Sequence, residues 1–285
     1  MSANNFLTKM DWKIFGHDKI KTILEKQLEN KRLSHAYLFL GAEGLGKKAL
    51  ALEFAKQILN TENLVNCTDF RICAEEGEIG IEKIRELIQF LSLTPLIGEK
   101  KVLIIDNAQN LNQQSGNALL KTLEEPALSS VIILIASGQP LKTIASRCQI
   151  FNFNLFSQKQ LREFAEKEKI QADESLLNLS FGVPGRMKSL FQNPELKKEQ
   201  AGLIGQFEAI EKMGVGEKLL QVSVYAAQEI AELEKIFLTW LWWKTGKLSE
   251  FPGDFLKVRA LMEALISLKN NQNKKLILQG LFLKI

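Results

Sequence analysis

Residues 41–50 read GAEGLGKKAL, and their glycines and first lysine fit G-x-x-x-x-G-K-[ST], the pattern of a loop that cradles phosphate. The chemistry is anion binding. Backbone N–H groups and a helix N-terminus converge on phosphate oxygens, and a lysine reaches the outer phosphates. Gly41, Gly44 and Gly46 permit the tight backbone, and Lys47 is the reaching lysine. The last position departs from the pattern: Lys48 stands where a hydroxyl would meet magnesium. The second part of such a site is an acidic residue at the end of a buried strand, where it helps to hold the metal. Asp106, after four apolar residues in KVLIIDNAQNLN, takes that place. Hydrolysing sites of this kind usually carry a glutamate next, to position the attacking water; here the residue is Asn107. A positioned base contributes about 10²–10⁴ in rate, and an amide is not a base. Phosphate binding stays open through the loop and Lys47, while efficient turnover is not expected.

Such a loop needs a strand before it and a helix behind it. AYLFL (36–40) reads as the strand, and ALALEFAKQIL (49–59) as the helix, with Leu52, Ala55 and Leu59 on one face. Further strands are expected at FRIC (70–73), VLII (102–105), VIILIA (131–136) and QIFNF (149–153). Helices are expected at IEKIRELIQFL (81–91) and NALLKTLEE (117–125), the latter stopped by Pro126. Strands alternating with helices imply an α/β domain with a parallel sheet. After about residue 155 the strand signal ends. Amphipathic helices follow, broken at GVPGR (182–186), GVG (214–216) and FPGD (251–254).

Composition narrows the function classes. The 285 residues are 46% hydrophobic and 25% charged, with a formal net charge of +4, too mild to argue for independent nucleic-acid affinity. Three cysteines suit a reducing compartment better than a disulfide framework. The first residues lack the apolar stretch of a signal peptide, and VIILIA and IFLTWLWW are too short to span a bilayer. These features predict a cytoplasmic, soluble chain with no membrane partner.

Several stretches together resemble the clamp-loader branch of the AAA+ proteins, in particular the delta-prime family of bacterial DNA polymerase III. They are IFGHDKIKTILEKQLENKRLSHAYLFLGAEGLGKKALALEFAK, IEKIRELIQFLSLTPLIGEKKVLIIDNAQNLN, SGNALLKTLEEPALSSVIILIASGQPLKTIASRCQIFNF, GVPGR and the ending NNQNKKLILQGLFLKI. NALLKTLEEP and SRCQ are the most specific of them. The resemblance covers nearly the whole chain. It implies a RecA-like AAA+ P-loop core over residues 1–155, a small helical lid over 156–196 and an all-α C-terminal collar over 197–285 that joins a hetero-pentamer. It implies a job in DNA replication: loading the sliding clamp onto primed DNA, beside gamma/tau-like ATPase subunits and a delta-like subunit. Members of the delta-prime family resemble the ATPase subunits without usually hydrolysing ATP; they act as a rigid stator and complete a neighbour's site. The complex, not this chain, then carries the ATPase and DNA polymerase activities.

The resemblance also assigns residues. ASRCQ (145–149) matches the Ser-Arg-Cys motif, which makes Arg147 an arginine finger acting in trans on a neighbour's γ-phosphate, with Ser146 and Cys148 as turn and packing residues. GVPGR places Arg186 in the sensor-2 position over the chain's own degenerate nucleotide site, and Ser137 falls at sensor 1. Lys83, Arg85 and Asn117, at the expected helix starts near 80–85 and 114–117, are the candidates for DNA contact within the assembled complex. Cys67 and Cys73 lie where relatives carry a four-cysteine zinc module, but two cysteines without a nearby histidine do not complete it, so no zinc is expected. His35 is expected to be a satisfied packing histidine. No cofactor is required on this reading, and ATP or ADP binding is left open as weak or vestigial. TWLWWKTG (239–246) holds three of the four tryptophans, divided between core and interface in a way that sequence does not resolve. Two alternatives remain beside the stator: an active ATPase subunit of the same family, and a P-loop phosphotransferase, which leaves SRCQ and the helical tail without a role.

Overall fold

Each apolar run assigned to a strand forms one. The computed structural model describes residues 12–75, 77–247, 254–270 and 272–285. In it β1 (Ala36–Leu40), β2 (Phe70–Cys73), β3 (Lys101–Ile105), β4 (Ser130–Ala136) and β5 (Gln149–Asn152) make a five-stranded sheet in the order β2-β3-β4-β1-β5. Every pairing is parallel. β3 and β4 are buried along their whole length, because helices cover both faces of such a sheet; hence they read as unbroken apolar runs. The register sets Leu40 beside Ala136 and Ile105 beside Leu134. Gly41, Asp106 and Ser137 therefore leave the sheet at the same edge, the carboxyl ends of the strands, where ligands bind in open α/β sheets.

The helices of this unit are α1 (Asp18–Glu29), α2 (Lys47–Leu59), α3 (Ile81–Ser92), α4 (Gln113–Glu124) and the short α5 (Lys142–Ala145). α4 begins four residues before its expected start. Asn112 caps it, accepting from Ser115 N at 2.8 Å, so polar QQSG becomes its first turn. Gly116 lets Leu141 pack close to the helix: a Cβ there would sit 2.2 Å from Leu141 Cδ1 and shift that side chain. The apolar faces of α3 and α4 (Ile84, Leu87, Leu91, Leu119, Leu123) pack with Leu103, Ile105, Ile132 and Leu134 into one core.

The chain divides after Leu155 into two compact units. The second holds α6 (Gln158–Lys167), α7 (Glu174–Leu179), α8 (Pro184–Gln192), α9 (Pro194–Lys212), α10 (Val215–Ala226), α11 (Ile230–Lys247), α12 (Phe255–Lys269) and α13 (Lys274–Phe282). GVPGR is the start of α8, with Pro184 in the first turn, where its missing N–H is not needed. The expected lid–collar boundary at 196/197 falls inside α9, whose entry is fixed by the Asn193 cap and Pro194. Trp240 is fully buried among Phe207, Tyr225, Phe237 and Phe282, and its Nε1 donates to Leu203 O at 2.8 Å. Trp242 is only half-buried and faces Phe181. Of FPGD, only Asp254 lies within the described residues.

Candidate functional site

The glycine loop joins β1 to α2. Gly41, Gly44 and Gly46 all take positive φ, at 152°, 81° and 86°. Gly41 also lacks room for a side chain: a Cβ there would lie 2.5 Å from Phe153 O, a backbone atom. The His17 ring hydrogen-bonds Leu45 O through Nε2 at 2.8 Å and holds the loop from outside. Gly46 is the N-cap of α2 and supplies no side-chain cap, so the first-turn N–H groups are left to whatever anion the loop meets.

Lys47 and Lys48 take different roles. Lys47 is 4% exposed, and its Nζ donates to Gly41 O (2.6 Å), Ala42 O (2.7 Å) and Ser137 Oγ (3.1 Å). Burial lowers its pKa against the opposing pull of Asp106 and Glu43. Lys48 Nζ lies 3.1 Å from Asp106 Oδ2. The other Asp106 oxygen, Oδ1, accepts from Asn107 N at 3.0 Å. Asn107, in a left-handed turn, donates from Nδ2 to Glu75 O at 3.2 Å. Gln109 ties the strand ends together, because its Oε1 accepts from Ser137 N at 3.1 Å and its Nε2 meets Asn107 Oδ1 at 3.4 Å. The backbone fits phosphate, but the side chains do not fit magnesium. Lys48 has no lone pair to offer, and its ammonium already occupies the one carboxylate at this strand end.

Arg147 follows α5 and ends a turn. Its Nε donates to Glu124 Oε1 at 2.9 Å, Nη2 reaches the same oxygen, and Nη1 donates to Thr143 O at 2.8 Å. The side chain stays 34% exposed, so the guanidinium is aimed by protein groups and still open to solvent. At Cys148 beside it, burial pushes the thiol pKa up to about 12.

A family model described as DNA polymerase III, delta subunit, matches residues 16–157. The DNA polymerase III subunit delta' of Pseudomonas aeruginosa is 35% identical over 177 residues, which is 53% of this chain and 54% of that protein. The subunit tau/gamma of Haemophilus influenzae is 36% identical over 170 residues, 53% of this chain and 24% of that one. The chain belongs to the clamp-loader family of DNA polymerase III subunits. It spans between 24% and 55% of the length of these and a further relative, the gamma subunit of Buchnera aphidicola. Among solved structures, a gamma subunit-related protein from Thermotoga maritima is 22% identical, with a TM-score of 0.49 over 91% of this chain and 97% of that one.

The remaining expected positions of this clamp-loader chain fall in several places. Arg186 belongs to the helical unit. Its Nε donates to Leu179 O at 2.8 Å, Nη2 meets Gln200 Oε1, and the guanidinium lies 4.7 Å from the Phe181 ring centre. Burial lowers its pKa to about 10. Those contacts make it a tie between α7, α8 and α9. The starts of α3 and α4 lie side by side, joined by an isolated parallel bridge between Ile79 and Leu111 and by Ser115 Oγ donating to Ile79 O at 2.6 Å. Lys83 and Arg85 are there, paired with Glu86 (2.9 Å) and Glu82 (2.8 Å). Asn117, expected at a helix start, lies in the second turn, because capping by Asn112 moves the start upstream; its Oδ1 accepts from Gln113 Nε2 at 3.3 Å. Cys67 and Cys73 are free thiols, and no metal-holding cluster occurs among the described residues. At His35 the expectation of a satisfied ring fails. Its Nε2 is buried with no hydrogen-bond partner among the described residues.

Sequence reasoning missed Glu124, Gln109 and His17. Glu124 stood inside the quoted NALLKTLEEP, but nothing local linked it to Arg147, 23 positions on. Gln109 sits in the QN of the strand-end turn, a polar residue among many.

Proposed function

We propose that this clamp-loader chain is a delta-prime-like stator: it serves the loading of a sliding clamp onto primed DNA without hydrolysing ATP, and it lends Arg147 to the nucleotide site of a neighbouring subunit. The observation that carries this reading is the Lys48–Asp106 pair, which fills the metal position with a tethered cation. Without a metal or a base beside the loop, the terminal phosphate lacks both charge neutralisation and an activated water. The half-open Arg147, oriented by Glu124 and Thr143 O, supports the second clause, since a finger must be pre-aimed yet reachable.

The partners follow from the same reading: gamma/tau-like and delta-like subunits in a hetero-pentamer, with the clamp and the DNA reached through the complex. Rows of exposed apolar residues on α10 (Val215, Leu219, Leu220, Val224) and α12 (Met262, Ile266) support an assembly role for the helical unit. The paired starts of α3 and α4 are the surface proposed for duplex phosphates, with Lys83 and Arg85 released from their glutamates on binding.

Similarity to the tau/gamma subunit of Haemophilus influenzae favours a second reading, an active ATPase of the same family. Phosphate release from the purified chain separates the two. The stator reading requires background rates with and without magnesium; sustained turnover by the chain alone selects the ATPase.

A further inference from the structure

The disagreement between this loop and magnesium has a consequence for what the loop binds. The glycines keep the backbone conformation of a phosphate cradle, with α2 aimed at it and no side chain capping its first turn. The metal's part of the site is what changed. In a metal-dependent loop the hydroxyl after the lysine and the strand-end carboxylate hold a divalent cation against the phosphate oxygens. Here the hydroxyl is replaced by an ammonium, and that ammonium lies 3.1 Å from the carboxylate. One N–H of Lys48 is spent on Asp106, and a lysine has three. Among the described residues, no other group at the strand ends supplies a metal site instead. Asn107 turns its amide toward Glu75 O, and Ser137 Oγ accepts from Lys47.

We infer that the loop binds a polyphosphate, as a nucleoside di- or triphosphate, in a metal-independent manner, with Lys48 in the place of magnesium. Asp106 holds the Lys48 ammonium at the edge of the cradle, where its free N–H groups face the phosphate oxygens. Lys47 exchanges the carbonyls of Gly41 and Ala42 for phosphate. Magnesium then adds nothing, because a second cation at Asp106 must displace or repel the first. The inference rests on the loop and on the Lys48–Asp106 pair, which the non-hydrolysing reading shares, and not on Arg147, so its failure leaves the trans-acting finger untouched.

The test is calorimetric titration of the full chain with ATP, ADP and inorganic tripolyphosphate, each in EDTA and in excess magnesium. The expected result is binding of the nucleotides in EDTA that magnesium leaves unchanged or weakens. Lys48→Thr restores the hydroxyl and removes the cation; its affinity in EDTA should fall by about tenfold or more, the scale of one charge-assisted hydrogen bond, and magnesium should recover it. Lys48→Arg keeps a cation and should keep metal-free binding, with thermal melts confirming that both variants fold. Two results overturn the inference: magnesium strengthening binding to the unsubstituted chain by about tenfold or more, or no binding of any of the three ligands in either buffer. Binding of tripolyphosphate equal to that of ATP assigns the affinity to phosphate alone; tighter ATP binding adds a base contact to the same metal-free cradle.

Discussion

Lys48 Nζ and Asp106 Oδ2 lie 3.1 Å apart, one at the start of α2 and the other at the end of β3. The two positions that hold a metal in a hydrolysing site carry opposite charges here and neutralise each other. The pair is electrostatic rather than structural in weight. Lys48 is 49% exposed, and an ion pair open to water contributes about 0–1 kcal/mol.

That exposure gives the first prediction. Lys48→Ala should change stability by about 1 kcal/mol or less. Asp69→Ala should cost about 3–5 kcal/mol, because it strips the partner from a buried charge. Asp69 is 1% exposed and accepts from Leu96 N, Ile97 N and Lys101 Nζ at 2.8–3.1 Å. Burial alone would raise its pKa, but those donors hold it below the usual carboxylate range. Urea melts of the two variants compare the effects directly, and similar losses from both would contradict the assignment.

Glu124 gives the second. Its carboxylate holds the Arg147 guanidinium; if Arg147 is the proposed finger, this spares the assembled site the entropy of ordering that side chain. Glu124→Gln should lower clamp- and DNA-stimulated phosphate release by the reconstituted complex by about two- to tenfold, less than removal of Arg147 itself. A melt should show little change in the chain, since the carboxylate is 51% exposed. Unaltered release would remove Glu124 from the positioning role.

Cys148 gives the third. Its folded pKa is raised from 9.0 to about 12, so the folded chain keeps a proton that the unfolded chain gives up. The stability tied to this thiol is complete below about pH 9 and is lost as pH rises toward 12. Cys148→Ala should flatten that part of the pH–stability curve. In the native chain at pH 8, a thiol reagent should leave Cys148 unlabelled until denaturant is added.

Much of this was legible before any coordinates, and the reasons are local. β1, β3 and β4 announced themselves because burial on both faces demands unbroken apolar runs. Gly41, Gly46 and Lys47 were legible because one short loop supplies both their spacing and their reason. What stayed hidden depends on pairs distant in sequence. The charge of Lys48 was visible as an obstacle to magnesium, but that it settles on Asp106 requires the β3–β4–β1 register. The start of α4 was misplaced because the Asn112 cap, not apolar periodicity, defines it. The entry to α9 was likewise hidden: it is set by the Asn193 cap and Pro194, and the helix runs through residue 196 without a break.

The measurement that most directly tests the central claim is phosphate release by the reconstituted clamp loader, stimulated with clamp and primed DNA, for the unsubstituted chain and Arg147→Ala. The account predicts that the neighbouring site facing Arg147 loses about 10³–10⁵ in rate, as a missing arginine finger does, while the complex still assembles on gel filtration. Undiminished turnover at that site in an intact Arg147→Ala complex would contradict it.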